Sequence, residues 1–143
     1  MTKGELEGKI YNWLKELNFH FNRLYDARSF GTRNAPSRPA DFYLWLKPNF
    51  IYIEAKEPRG NILPFNDIRP SQYKAAKNSL KFGYKYVFII QIKGALIGLK
   101  WKLLESFIKV NYPKNKSISY KELTNIGCSV NSKPDFKAFL IGL

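Results

Sequence analysis

The sequence predicts an α/β protein, and three stretches carry that reading. The opening residues repeat apolar side chains at helical spacing. Asp41 to Leu46 and Phe50 to Ala55 form two β-like runs joined by Lys47-Pro48-Asn49, and Tyr86 to Ile92 is an almost unbroken apolar run. Helical and strand patterns alternate over 143 residues, which predicts one domain, 1–143, long enough to bury a real core. A hydrophobic content of 45% with 16% aromatic residues belongs to a folded protein rather than a disordered basic tail.

The first helix is signalled by a capping box, with Thr2 as N-cap and Glu5 three residues on. Leu6, Ile10, Trp13, Leu14 and Leu17 then form one apolar stripe, and Glu7 falls on its border, able to point along the surface toward a neighbouring sheet. Residues 18–40 lack a clean period. Phe19, Phe21 and Leu24 alternate loosely enough to start a short strand, and Gly31, Asn34, Pro36, Ser37 and Pro39 mark a loop. The hairpin about Pro48 follows, then a polar loop from Glu57 to Pro70. Ser71 to Lys81 reads as a helix stopped by Gly83. Tyr86 to Ile92 reads as a buried central strand, with Ala95 to Lys100 as a partner strand across Lys93-Gly94. Trp101 to Val110 reads as a helix, Tyr112 to Lys116 as a basic loop, Ser119 to Leu123 as the start of a short helix, and Asp135 to Leu143 as an apolar terminal element.

The charge is strongly one-sided, at +13 from 24 Lys+Arg against 11 Asp+Glu. A polyanion is the natural partner, because each neutralised phosphate releases condensed counterions. An anionic membrane surface is the competing partner. However, no apolar run reaches the roughly 18 residues a membrane helix needs, and no secretory or lipidation signal is read. No membrane association and a cytoplasmic setting are therefore expected. Lysines are spread along the chain, but arginines are not: Arg23, Arg28, Arg33 and Arg38 precede Asp41, while Arg59 and Arg69 follow Glu54 and Lys56. Arginine suits a bidentate grip on phosphate, so these six are the candidate contacts to a phosphate backbone; a solvated loop is the plain alternative.

A single cysteine, Cys128, excludes an intrachain disulfide and a thiolate zinc site within one subunit, and a single histidine, His20, excludes a two-histidine metal site. Cys128 is read as a small core residue, and a Cys128/His20 nucleophilic pair has no supporting motif. Any metal must therefore be held by carboxylates, which favours Mg2+, with Mn2+ as a substitute.

Those carboxylates are Asp41 and Glu54. In Ile51-Tyr52-Ile53-Glu54-Ala55-Lys56, Glu54 and Lys56 are two apart and share one face of a strand. Folding the hairpin about Pro48 brings Asp41 opposite or diagonal to Glu54, within the roughly 5–8 Å of cross-strand neighbours that one divalent ion bridges. Two carboxylates and an ammonium at one point are costly unless a cation joins them. A metal held there lowers the pKa of bound water and relieves phosphoryl charge, with the Ala55 carbonyl as a further oxygen. Lys56 suits three roles: orienting water, acting as base, or stabilising the transition state. The sequence leaves all three open. Glu7 is a candidate third carboxylate and Gln72 a candidate supporting group, each with an ordinary surface role as the alternative. A surface salt-bridge cluster is the alternative for the trio itself.

The trio resembles the PD-(D/E)XK nuclease signature. The longer strings Pro36-Ser37-Arg38-Pro39-Ala40-Asp41-Phe42, Ile51 to Glu57, and Leu63 to Ile68 leading to Gln72 resemble the RecU-type Holliday junction resolvases and their archaeal-like relatives. Val87 to Ile90, Lys116 to Ile118 with Glu122-Leu123, and Leu6-Glu7 followed by Ile10 extend the resemblance to roughly residues 4–141. It implies a central mixed β-sheet flanked by helices, a divalent-metal site and a homodimer that nicks two opposing strands of a four-way DNA junction. By position it makes Asp41 and Glu54 metal ligands, Lys56 the catalytic lysine, Glu7 a further acidic group at the metal and Gln72 a supporting residue. Two departures stand out: Ala40 separates Pro39 from Asp41, and the segment between the first helix and Asp41 is short for a RecU-type stalk. The alternatives are a restriction or repair nuclease of the same fold acting on duplex DNA, and a DNA-binding module without catalysis.

Overall fold

The computed structural model describes residues 2–25 and 38–143, so the parts of the arginine-rich loop that hold Arg28 and Arg33 lie outside the described residues. Helix α1, Lys3–Glu16, begins where expected. The Thr2 side chain accepts from the Glu5 N–H at 3.2 Å and Glu5 accepts from the Thr2 N–H at 3.1 Å, so two of the helix's orphan donors are satisfied reciprocally. Strands β1 (His20–Arg23), β2 (Phe42–Leu46) and β3 (Asn49–Lys56) follow, β2 and β3 joined by the tight turn at Lys47-Pro48. Then come β4 (Ile62–Pro64), a 3-10 turn at Phe65–Asp67, α2 (Pro70–Phe82), β5 (Lys85–Ile92) and β6 (Ala95–Lys100). The last elements are α3 (Trp101–Asn111), β7 (Ser117–Ser119), α4 (Tyr120–Ile126), β8 (Cys128–Ser129) and α5 (Lys133–Ile141).

Six strands form one mixed sheet in the order β1-β2-β3-β5-β6-β8. Only β3 and β5 run parallel; the other neighbours are antiparallel. The parallel pair needs a crossover, and α2 supplies it, ending at Gly83, whose φ of 77° is a left-handed conformation that glycine adopts without a Cβ clash. The turn between β5 and β6 likewise uses positive φ at Lys93 and Gly94.

The alternation of side chains across the sheet builds two cores. On one face Ile51, Ile53 and Ala55 of β3 join Phe42, Leu44, Val87 and Ile89 beneath Leu6, Ile10 and Leu14 of α1 and Phe136 and Leu140 of α5. On the other face Tyr86, Phe88 and Ile90 of β5 pack against Ala76 of α2, Trp101 and Leu104 of α3, and Leu123 of α4. Each fully buried aliphatic or aromatic side chain contributes about 1.5–3 kcal/mol. Because the odd-numbered residues of β3 face the first core, Glu54 and Lys56 are directed to the second face.

Two local expectations are corrected and one unsupported alternative is closed. The stretch from Glu57 to Pro70 is not only a loop, since β4 pairs antiparallel with β7 in a separate two-stranded sheet that buries Leu63 and Ile118. Its partner lies far along the chain, so no local period signals it. The second is Cys128, which is exposed on the edge strand β8 rather than buried in a core. The closed alternative is the Cys128/His20 pair: β1 and β8 are opposite edges of the sheet, about 24 Å apart at the usual strand spacing.

Candidate active site

The hairpin register brings the carboxylates together. Phe42 pairs with Ile53, so Asp41, one residue before β2, stands across from Glu54. Asp41 is pinned by its main chain and its side chain. Its N–H donates to the Ile53 carbonyl at 3.1 Å and its carbonyl accepts from the Leu24 N–H at 2.8 Å. Its Oδ2 accepts the Ala55 N–H at 2.8 Å. That last bond turns the carboxylate over the end of β3, next to Glu54. Asp41 is 1% exposed and Glu54 0%.

Lys56 and Gln72 complete the cluster. The Lys56 ammonium donates to the Asp67 carbonyl at 2.6 Å and to Gln72 Oε1 at 2.8 Å, and it lies 3.2 Å from Glu54 Oε2. Gln72, in the first turn of α2, donates through Nε2 to the same Glu54 oxygen at 2.9 Å, and its Oε1 also accepts the Arg69 N–H at 3.0 Å. The chemistry dictates this orientation of the amide: a carboxylate only accepts and an ammonium only donates, so the nitrogen must face Glu54 and the oxygen Lys56. Gln72 is thus both a helix-start group and the bridge between the two charges.

A second limb of the cluster is built on arginine. Arg23 Nη2 lies 2.6 Å from Glu7 Oε2. Arg38 Nη2 lies 2.6 Å from Asp41 Oδ1 and 3.8 Å from Glu7 Oε1, while its Nη1 donates to the Leu24 carbonyl at 2.8 Å. Arg38 therefore links Glu7 to Asp41. Among the described residues, three carboxylates (Glu7, Asp41, Glu54) are matched by three cations (Arg23, Arg38, Lys56), and such pairing lets charges stay out of water at one place.

Tyr86 supports the same corner from beneath. Its hydroxyl donates to the Pro39 carbonyl at 2.5 Å, steadying the chain two residues before Asp41. Burial first, and then the negative charges of Glu54 and Asp41, hold its phenol well above the usual tyrosine range, so it remains a neutral donor.

Of the residues expected at the site, Asp41, Glu54, Ala55, Lys56 and Gln72 meet at one point. Glu7 is joined to it through Arg38, at 3.8 Å. Among the described residues no group of three His, Cys, Asp or Glu side chains is gathered closely enough to hold one ion. The arginines expected to grip DNA divide. Arg23 and Arg38 turn inward onto carboxylates, while Arg59 and Arg69 are exposed on the connection from β3 to α2. Sequence reasoning missed the inward role of Arg38, the Tyr86 hydroxyl and the Asp67 carbonyl. The three-residue spacing of Arg38 and Asp41 was the one local signal; the others depend on elements brought together from a distance.

The residues present suit a hard divalent cation. The donor set is two buried carboxylates, Glu54 on β3 and Asp41 just before β2, with the Ala55 main chain beside them and, among the described residues of the cluster, no sulfur or imidazole.

No family model matches the chain, and no curated protein matches it in sequence. Its fold is similar to that of Hjc, a Holliday junction resolvase from Archaeoglobus fulgidus, an archaeal hyperthermophile, with a TM-score of 0.61 over 94% of this chain and 98% of that one at 14% sequence identity. The architecture, a central mixed sheet flanked by helices, is thus the PD-(D/E)XK-like fold of that resolvase; the likeness is to an archaeal enzyme and lends nothing specific to a RecU-type assignment. No described helix is long and apolar enough to cross a membrane.

Proposed function

We propose that this chain is a divalent-metal-dependent endonuclease that resolves four-way DNA junctions, working as a homodimer whose two sites nick opposing strands. The observation that carries the reading is the buried Asp41–Glu54–Lys56–Gln72 cluster at the end of β3. It sits in a fold like that of an enzyme described as a Holliday junction resolvase. The net charge of +13 suits a DNA substrate.

In this reading Asp41 and Glu54, with the Ala55 carbonyl, would hold Mg2+ or Mn2+. Such an ion would supply Lewis acidity at the phosphoryl group and would ease deprotonation of a bound water, making it a better nucleophile. The chain's own residues set the geometry. The Ala55 N–H fixes Asp41, and Gln72 fixes Glu54. The Lys56 ammonium faces three acceptors, namely Asp67, Gln72 and Glu54. That arrangement favours a protonated lysine, whose role is to stabilise charge growing on the phosphoryl group rather than to take a proton. Glu7 serves as a counter-charge that holds Arg23 and Arg38 at the site. Arg59 and Arg69 contribute phosphate contacts from the exposed rim.

The test is cleavage of a four-way junction and of a linear duplex of the same sequence, with Mg2+ and with Mn2+. Paired nicks in the junction and little cutting of the duplex are expected. Equal cutting of both substrates would leave a nuclease but remove the resolvase reading. Asp41→Asn and Glu54→Gln are expected to abolish cutting while junction binding persists, and normal cutting by either variant would show that the site lies elsewhere.

A further inference from the structure

We infer that Arg38 is an internal cation that competes with the divalent ion for Asp41, so that metal loading requires its guanidinium to release that carboxylate. The inference rests on the metal-dependent reading above.

Asp41 offers two oxygens in a nearly closed setting. Oδ2 is committed to the Ala55 N–H at 2.8 Å, and Oδ1 lies 2.6 Å from Arg38 Nη2. A Mg2+ ion binds a carboxylate oxygen at about 2.0–2.1 Å. An ion approaching Oδ1 therefore meets a fixed positive charge in contact with the same atom. Burial weakens the solvent screening that would soften this repulsion.

The local charge balance points the same way. Among the described residues Glu7, Asp41 and Glu54 are already matched by Arg23, Arg38 and Lys56. A divalent cation added to this set leaves a surplus of positive charge unless one cation moves off. Among the described residues Arg38 and Lys56 touch the proposed ligands, and Arg38 is the more exposed of the two. Its side chain is 20% exposed, against 8% for Lys56, and the bond from its Nη1 to the Leu24 carbonyl at 2.8 Å is a pivot about which Nη2 can swing off Asp41. The Arg38 main chain is tethered independently, its carbonyl accepting from the Ser71 hydroxyl at 3.3 Å, so the side chain can turn while the backbone stays. The guanidinium also has a second carboxylate within reach, Glu7 Oε1 at 3.8 Å, onto which it can close once Asp41 is taken.

The experiment is calorimetric titration of Mn2+ into the full chain without DNA, comparing the wild type with Arg38→Gln. Removing the competitor is expected to tighten Mn2+ binding by at least about fivefold, the low end of typical coupling between two ligands. Unchanged or weaker binding by a folded variant overturns the inference. Should Arg38→Gln fail to fold, the wild type itself supplies the answer. The side-chain N–H resonances of Arg38 are expected to shift during a Mg2+ titration with the midpoint of metal binding, and resonances unmoved at saturation overturn it. If neither protein binds a divalent ion, the metal-dependent reading falls together with this one. If the wild type binds but the variant gains nothing, only the role of Arg38 falls.

Discussion

Gln72 donates to Glu54 at 2.9 Å through one end of its amide and accepts from Lys56 at 2.8 Å through the other. One neutral side chain from α2 thus sets the spacing of two charges on β3. Substitution with alanine leaves a buried carboxylate and a buried ammonium each short of a partner, at about 1–3 kcal/mol for each. Gln72→Ala is expected to lower the melting temperature and to reduce cleavage at saturating metal by about 10–100-fold, as the loss of groups that orient metal ligands does. Gln72→Glu should be worse, because it sets a second carboxylate against Glu54. Thermal melting and single-turnover cleavage measure both effects, and wild-type rates in Gln72→Ala would argue that the bridge is incidental.

The phenol of Tyr86 gives a pH dependence whose sign follows from its burial. Its pKa is raised in the folded protein above the ordinary value of 10.0, by burial and then by Glu54 and Asp41. The stability tied to its neutral form is fully present below about pH 10 and is lost as pH rises beyond it, at about 1.4 kcal/mol per pH unit, because only the unfolded chain releases the proton there. Melting temperatures taken from pH 8 to 11 are expected to fall more steeply for the wild type than for Tyr86→Phe. At neutral pH the variant should be less stable by about 0.5–1.5 kcal/mol, from the lost hydrogen bond to Pro39. Parallel alkaline slopes in the two proteins would assign the transition to other groups.

Arg59 and Arg69 are exposed beside the site, whereas Arg23 and Arg38 are engaged with carboxylates. Alanine at both exposed positions should reduce the slope of log K against log salt for junction binding by about 1.8, at roughly 0.9 for each phosphate contact. The melting temperature should not change, since neither side chain is buried. Binding isotherms at several salt concentrations read the slope directly, and a slope equal to that of the wild type would move the phosphate track away from this edge.

Much of the frame was legible because it is encoded locally. The capping box of Thr2 and Glu5, the 3.6-residue stripe of Leu6, Ile10 and Leu14, and the apolar run of β5 each need only neighbours in the chain. The encounter of Asp41 with Glu54 was also legible, because a short hairpin leaves little choice of register. The pairing of β4 with β7 and the edge strand β8 were not, since two or three residues carry too weak a pattern and their partners are remote in sequence.

By itself, then, the sequence determined which charged residues would meet: Asp41, Glu54 and Lys56, placed by strand alternation and a tight turn, in a chain with a net charge of +13. Only the tertiary structure decided how their charges are balanced. It turned Arg38 and Arg23 inward onto Asp41 and Glu7, set Gln72 between Glu54 and Lys56, and left Cys128 in solvent. The physical reason is that a charged side chain carries no periodic signature. Its direction is set by whichever opposite charge or hydrogen-bond partner folding brings within a few ångströms, and in this site those partners come from α1, β1, β3 and α2 at once.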